Sequence, residues 1–215
     1  MHGKEGNEMS TDIYQQRASV FFEQYESVTS EQVHAFWLAE LNKRDRGVAL
    51  DVGAGSGRDA KFLAEKGWQV IAVEPSDNLR QLACESATIS QVDSTASYHP
   101  ISWYADSLPA LASVKALNQR YDLVLLSAVL MHLSPIEQYQ SLTNLSELLI
   151  PGGLLVMTLR HGVFTDGRVS YPVDVDALLT LSAALNLKLL LQSQLVTDQL
   201  GRNDVRWQTI VLTKD

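Results

Sequence analysis

Residues 49–60 read ALDVGAGSGRDA: a short apolar run, an acid, then glycines at positions 53, 55 and 57. An apolar segment ending in alternating glycines and leading into a helical pattern predicts a strand, a tight turn and a helix start. Glycine lacks Cβ, so such a turn can adopt unusual backbone angles and let a ligand approach the main chain. In an open α/β sheet that turn sits beyond the carboxyl end of the strand, where ligands bind. GSGRDA also satisfies the dinucleotide pattern G-x-G-x-x-A, with Glu74 about 20 residues on as a ribose acid. The glycines alone therefore do not choose the ligand.

Outward from this turn the chain repeats the strand–helix rhythm. VALDV (48–52), QVIAVEP (69–75), ISWYAD (101–106), YDLVLLSAV (121–129) and LLVMTLR (154–160) read as strands. Helices are predicted through DAKFLAEKG (59–67), capped by Gly67, through DNLRQLACESA (77–87), capped by Ser76, and over a short stretch near 109–118. SPIE (134–137) opens another, with Ser134 as cap, Pro135 at the first position and Glu137 closing the box. IPGG (150–153) reads as the turn into the fifth strand, and a polar loop occupies roughly 88–100. LKLLLQSQLV (187–196) and RWQTIVLTKD (206–215) are separated by too few residues for a crossover helix, so they read as an antiparallel hairpin at the sheet edge. Ahead of the first strand, Ile13, Tyr14, Arg17, Ala18, Phe21, Phe22 and Tyr25 follow helical spacing. A second helix, 29–41, opens on Thr29 and Gln32 in capping-box positions and shows Val33, Phe36, Trp37 and Leu41 on one face. The expected fold is α/β and Rossmann-like: a doubly wound, mostly parallel sheet with an antiparallel C-terminal hairpin and an N-terminal helical cap. The expected single domain runs over residues 10–215, with cap 10–45, core 46–160 and substrate-side segment 161–215.

Bulk properties narrow the function. The 215 residues are 46% hydrophobic and 20% charged, with a net charge of -8. An acidic chain lacks the basic footprint of a nucleic-acid binder. One cysteine, Cys84, excludes an intrachain disulfide and a paired-cysteine zinc site. This suits a reducing cytoplasm. Cys84 is expected to be a buried thiol, and no metal site is expected. No apolar run reaches membrane-spanning length. Residues 1–9 read as a disordered leader, with Met9 as the natural start.

Charge also separates candidate ligands. Asp51 precedes the glycines and Asp59 sits in the first helical turn. Like charges at close range cost on the order of 1–4 kcal/mol at intermediate dielectric, so both acids disfavour a pyrophosphate. S-adenosylmethionine brings an ammonium, a sulfonium and one carboxylate for the turn's N–H groups.

The five segments LDVGAGSGRDA, VIAVEPSDNL, YADSLPAL, YDLVLLSAVLMHLSP and LLIPGGLLVMTLRHG, in this order, make residues 45–160 resemble the class I S-adenosylmethionine-dependent methyltransferases. The resemblance implies a seven-stranded sheet and S-adenosylmethionine as cofactor. It implies a cofactor site of Asp51, Gly53, Ala54, Gly55, Gly57, Arg58, Asp59, Glu74, Pro75, Asp106, Ser107, Leu108, Ser127 and Ala128. Glu74 would accept from both ribose hydroxyls, and Asp106 from the adenine amine with Ser107 and Leu108 beside it. Asp51 would hold the glycine loop or the ammonium. Asp59 either joins the site or stabilises its helix N-terminus. Arg58 is either a surface charge or a partner for the methionine carboxylate. SAVL (127–130) lacks the Asn/Asp-Pro-Pro-aromatic pattern of DNA amino-methyltransferases, and no Pro-Cys nucleophile occurs, which disfavours DNA-base methylation; protein and RNA substrates stay open, and the acidic balance favours a small acceptor. His132, His161 and Tyr14 are the candidate catalytic residues. DG (166–167) predicts a hairpin flap over 160–173, carrying Arg160, Arg168 and Tyr171 toward an anionic acceptor; a solvated loop is the alternative. Two rival functions are an NAD-dependent oxidoreductase and a non-catalytic S-adenosylmethionine-binding protein.

Overall fold

The computed structural model describes residues 10–92 and 100–215, with backbone only at 89–92. The leader at 1–9 and the middle of the polar loop lie outside the described residues. Among the described residues there are eight strands: β1 (Val48–Val52), β2 (Gln69–Val73), β3 (Ser102–Tyr104), β4 (Tyr121–Ser127), β5 (Leu149–His161), β6 (Leu187–Gln192), β7 (Val196–Thr197) and β8 (Arg206–Lys214). Their order is β3-β2-β1-β4-β5-β8-β6, with β7 beside β8. β1 to β5 pair in parallel, and β8 lies antiparallel between β5 and β6. The seven-stranded path is the expected one. The eighth strand, two residues long, comes from the segment between β6 and β8, part of which was read as a hairpin link.

Alternation along the strands divides the core into two layers. Leu50, Ile71, Val124 and Met157 face one side, while Ala49, Val70, Leu123 and Val156 face the other. Both faces are covered, which is why β1, β2 and β4 are apolar at almost every position. The helices are α1 (Ala18–Glu26), α2 (Ser30–His34), α3 (Leu38–Asn42), α4 (Arg58–Glu65), α5 (Asp77–Val92), α6 (Ala112–Ala116), α7 (Pro135–Leu148) and α8 (Val175–Ala184). Two expected capping boxes form. The Gln32 N–H donates to Thr29 Oγ1 and the Thr29 N–H to Gln32 Oε1 (3.3 and 3.0 Å). The Ser134 N–H donates to Glu137 Oε2 at 2.8 Å.

The cap departs from the two helices expected. Residues 10–16 are helical, the chain breaks at Arg17, and α1 follows. The second predicted helix splits into α2 and α3 around Trp37. Its apolar face splits with it. Trp37 and Leu41 are fully buried in the same layer as Leu63 and Trp68 of the core, whereas Phe36 is 45% exposed and turns with Val33 toward a cleft. IPGG is also not a separate turn. It lies inside β5, where a register shift between Tyr121 and Leu123 absorbs it. Cys84, expected to be buried, is half-buried. Among the described residues no helix is long and apolar enough to cross a membrane.

Candidate active site

The carboxyl ends of β1, β2, β4 and β5 open into a cavity of about 400 Å³. This lies within the size range of small-molecule sites. Its floor is the glycine turn. Gly53 and Ala54 both donate to the Val73 carbonyl at 2.8 Å, folding the turn back onto β2. Gly53 has φ +71°, and a Cβ there would lie 2.5 Å from a Val129 methyl. Gly57 has φ +76° and caps α4; its Cβ would lie 2.8 Å from Trp103. Both positions therefore require glycine sterically as well as conformationally.

Glu74, at the end of β2, is buried and holds the turn. Its Oε2 accepts from the Gly55 N–H at 3.0 Å and its Oε1 from the Ser76 N–H at 2.8 Å. Burial pushes this carboxyl up to about 7, although the two N–H groups and Arg80 favour the charged form. Each oxygen keeps a free lone pair for a ligand hydroxyl.

Asp51, only 1% exposed, lines the cavity from β1, and its Oδ2 has no partner. Burial, then the neighbouring Asp59, raises its pKa well above the usual carboxylate range; Arg58 opposes the shift. A buried acceptor left unmatched costs about 1–3 kcal/mol, so this oxygen is poised for a donor or cation. Asp59 is the opposite case. Ser30 Oγ donates to its Oδ1 at 2.7 Å, and Arg58 grips both oxygens at 2.9 Å. His34 accepts from Trp37 Nε1 on Nδ1, which leaves its proton on Nε2, 3.1 Å from Asp59 Oδ2. That contact is ionic in distance but too oblique for a hydrogen bond. Burial alone would raise Asp59, but His34 and Arg58 outweigh it and hold the carboxyl well below its ordinary value. Asp59 thus ties the cap to α4. Arg58, whose third nitrogen donates to the Tyr25 carbonyl at 3.2 Å, is no surface charge.

Asp106 lies at the cavity wall with Ser107 and Leu108. Its oxygens accept from the Ser107 and Val114 N–H groups (2.8 and 3.1 Å), so it also caps its own loop. Beyond β4, Ser127 and Ala128 line the cavity, and Ala128 takes φ +60°. For a residue with a side chain that conformation is strained, and such strain clusters at functional sites. Thr158 supports it by accepting from the Ala128 N–H through both its carbonyl and its Oγ1 (3.1 and 3.0 Å). Pro75, Ala54, Gly53 and Gly55 complete this end; of the expected cofactor residues, only Gly57 stays outside the lining.

Tyr14 and His132 also line the cavity. Tyr14 Oη lies 3.1 Å from His132 Nε2 and accepts from Arg168 Nη1 at 2.8 Å. His132 Nδ1 faces the Val169 carbonyl at 3.4 Å, which can only accept, so the ring proton sits on Nδ1 and Nε2 is an acceptor for Tyr14. Burial, then Arg168, lowers His132 to about 4, which keeps it neutral. His161 is not brought to the site. Alternation along β5 points Thr158 and Arg160 into the cavity and His161 away from it. Tyr171 also lies outside the lining. The expected hairpin flap does not form: 162–174 has no strand, and Arg168 folds back on Asp166 instead. Arg160 belongs to β5 itself.

Sequence reasoning missed Thr158 and the tail residues Asp198, Gln199, Arg202 and Trp207, all of which line the cavity. The segment between β6 and β8 folds over the cleft, and Gln199 reaches the Gln32 carbonyl of the cap at 3.3 Å. Among the described residues no cluster of His, Cys, Asp and Glu could hold a metal.

Residues 21–189, more than half of the chain, match a family model described as a methyltransferase domain. The chain belongs to this methyltransferase family. The resemblance read from the five motifs is thereby borne out, and the oxidoreductase alternative loses its basis. The methyltransferase domain is 26% identical over 136 residues to an uncharacterized methyltransferase of Alkaliphilus oremlandii, covering 63% of this chain and 54% of that one. The chain spans about half the length of the curated relatives it matches. Among solved structures, it shares its fold with the magnesium protoporphyrin IX methyltransferase of Synechocystis with bound S-adenosylhomocysteine. There the TM-score is 0.70 at 14% identity, covering 96% of this chain and all of the other (100%). A 1,6-didemethyltoxoflavin-N1-methyltransferase of Burkholderia thailandensis, solved with its substrate and S-adenosylhomocysteine, gives 0.67 at 21% identity, covering 97% and 90%.

Proposed function

We propose that this protein transfers a methyl group from S-adenosylmethionine to a small-molecule acceptor. The observation that carries the reading is Asp51 Oδ2, a buried carboxylate oxygen without a partner beside the glycine turn. An ammonium beside it would favour the charged carboxylate that burial disfavours, whereas a pyrophosphate would offer that oxygen no donor. S-adenosylmethionine, when bound, supplies a methyl group already activated on a sulfonium. The chain's part is to bind, orient and exclude water.

Glu74 accepts from the ribose hydroxyls, Asp106 from the adenine amine beside Ser107 and Leu108, and Asp51 holds the ammonium. Arg58 is committed to Asp59, so the methionine carboxylate falls to the N–H groups of the turn. Ser127 and Ala128 position the methionyl portion. Tyr14 Oη, donating to neutral His132 and accepting from Arg168, is placed to orient the acceptor's nucleophile by hydrogen bonding, while His132, neutral down to about pH 4, fixes the phenol's orientation. The acceptor's small size is supported by the dimensions of the cavity and by its roof of cap and tail segments. Proteins of the same fold that are named as methyltransferases of magnesium protoporphyrin IX and of 1,6-didemethyltoxoflavin support it too. A cytoplasmic location rests on the lone, reduced cysteine.

Isothermal titration with S-adenosylmethionine and with NAD tests the cofactor. Binding of the first and not the second is expected, and tight NAD binding alone would overturn the reading. Release of S-adenosylhomocysteine across an acceptor panel separates an enzyme from a protein that only binds the cofactor.

A further inference from the structure

Arg160, Arg168 and Arg202 line the cavity near one another, with the carboxylates Asp166 and Asp198 beside them. Arg168 is paired with Asp166 through Nε and Nη2, and Arg202 with Asp198 through the same two nitrogens. Asp198 is held further by Trp207 Nε1 at 2.8 Å. Arg160 has no such partner among the described residues. Its residue is 7% exposed; Nη1 and Nη2 donate to the Gly162 and Val163 carbonyls at 2.6 and 3.3 Å, and Nε has no acceptor. The other titratable groups facing this region do not supply the missing charge. Tyr14 and His132 are engaged with each other, and exposed Arg17, 4.0 Å from Asp166, adds a further positive charge.

A buried guanidinium without a counter-ion is costly, and its planar fork matches a carboxylate. Among the described arginines that line the cavity, Arg160 is the one without a carboxylate, and a carboxylate ligand matches its single charge. The same cavity is lined by the apolar and aromatic side chains of Val33, Phe36, Phe164, Leu200 and Trp207. Phe164 lies 4.1 Å from the Arg160 guanidinium and stacks on His132 at 5.0 Å.

We propose that the methyl acceptor is a carboxylic acid on a flat apolar body, its carboxylate paired with Arg160. This rests on the methyltransferase reading and narrows it to a substrate class.

The test is calorimetric, on the full chain saturated with S-adenosylhomocysteine, using benzoate against benzamide and 1-naphthoate against 1-naphthamide. The acids are expected to bind about 10- to 100-fold more tightly than their amides, the range for a charged hydrogen-bond partner. Arg160→Gln is expected to abolish that preference. Because Arg160 also holds two loop carbonyls, the acid-to-amide ratio of the unmodified protein stands as a readout by itself should the variant not fold. Equal affinities, failure of both acids to bind, or a preference that survives Arg160→Gln overturns the proposal. Failure of the unmodified protein to bind S-adenosylhomocysteine in the loading step overturns the cofactor reading instead.

Discussion

Replacing Glu74 with glutamine separates what this residue costs the empty protein from what it contributes to the cofactor. Burial lifts its carboxyl from the ordinary 4.5 to about 7. Between those values the native state binds a proton that the unfolded chain has released, so stability falls as pH rises through the window. A shift of that size amounts to about 3 kcal/mol, of which about 2.5 kcal/mol falls between pH 5 and pH 8. Glu74→Gln has no proton to lose. Its amide also presents N–H toward one of the two backbone donors now served by the carboxylate, a penalty of about 1–3 kcal/mol that does not vary with pH. The readout is therefore the pH dependence of the difference between the two proteins, measured by urea denaturation at pH 5, 6, 7 and 8. The variant should gain about 2.5 kcal/mol on the unmodified protein across that range. Binding should move the other way. The ionised carboxylate is the form that accepts from ribose hydroxyls, so affinity for S-adenosylhomocysteine should tighten from pH 6 to pH 8 and drop 10- to 100-fold (about 1.5–3 kcal/mol) in the variant at pH 8. Stability curves that run parallel from pH 5 to pH 8 would refute the burial argument. An unchanged affinity would refute the ribose contact.

Two further outcomes follow from the same site. Asp59→Asn leaves the Arg58 guanidinium without its carboxylate and weakens the link from His34 and Ser30 to α4; a loss of about 3–5 kcal/mol is expected by urea denaturation, and one below about 1 kcal/mol would show the cluster to be incidental. His132, lowered to about 4 first by burial and then by Arg168, should remain neutral at pH 6 in imidazole ¹⁵N spectra, with its proton on Nδ1. Because the unfolded chain takes up that proton from about pH 6.5 downward and the native state does not, this group lowers stability as pH falls toward 4. Titration of His132 near 6.5 would mean that the ring is open to solvent.

Most of the sheet was legible because its signals are local. Apolar runs of strand length, capping boxes at Thr29 and Ser134, and the glycine turn each depend on residues within a few positions of one another. The cofactor end of the cavity was legible for the same reason: Asp51, Glu74, Asp106 and Ser127 all stand at strand ends, and parallel strands bring their carboxyl ends together. The cap was less so. Periodicity marks an apolar face but not which surface it meets, and Val33, Phe36, Trp37 and Leu41 were read as one face although Trp37 and Leu41 enter the core while Phe36 borders the cleft. Asp166-Gly167 carried a hairpin signal that an Asp166–Arg168 ion pair and the stacking of Arg168 on Phe164 overrode.

The sequence by itself determined the order of elements, the glycine turn and the acids around it, since backbone sterics and strand alternation act over a handful of residues. Only the tertiary structure decided the acceptor side. There Tyr14 meets His132 across 118 positions, Arg160 stands without the carboxylate its neighbours have, and the tail folds over the cleft. Those contacts join segments far apart in the chain, and their charge balance is set by which side chains share a buried volume, a quantity that no local pattern encodes.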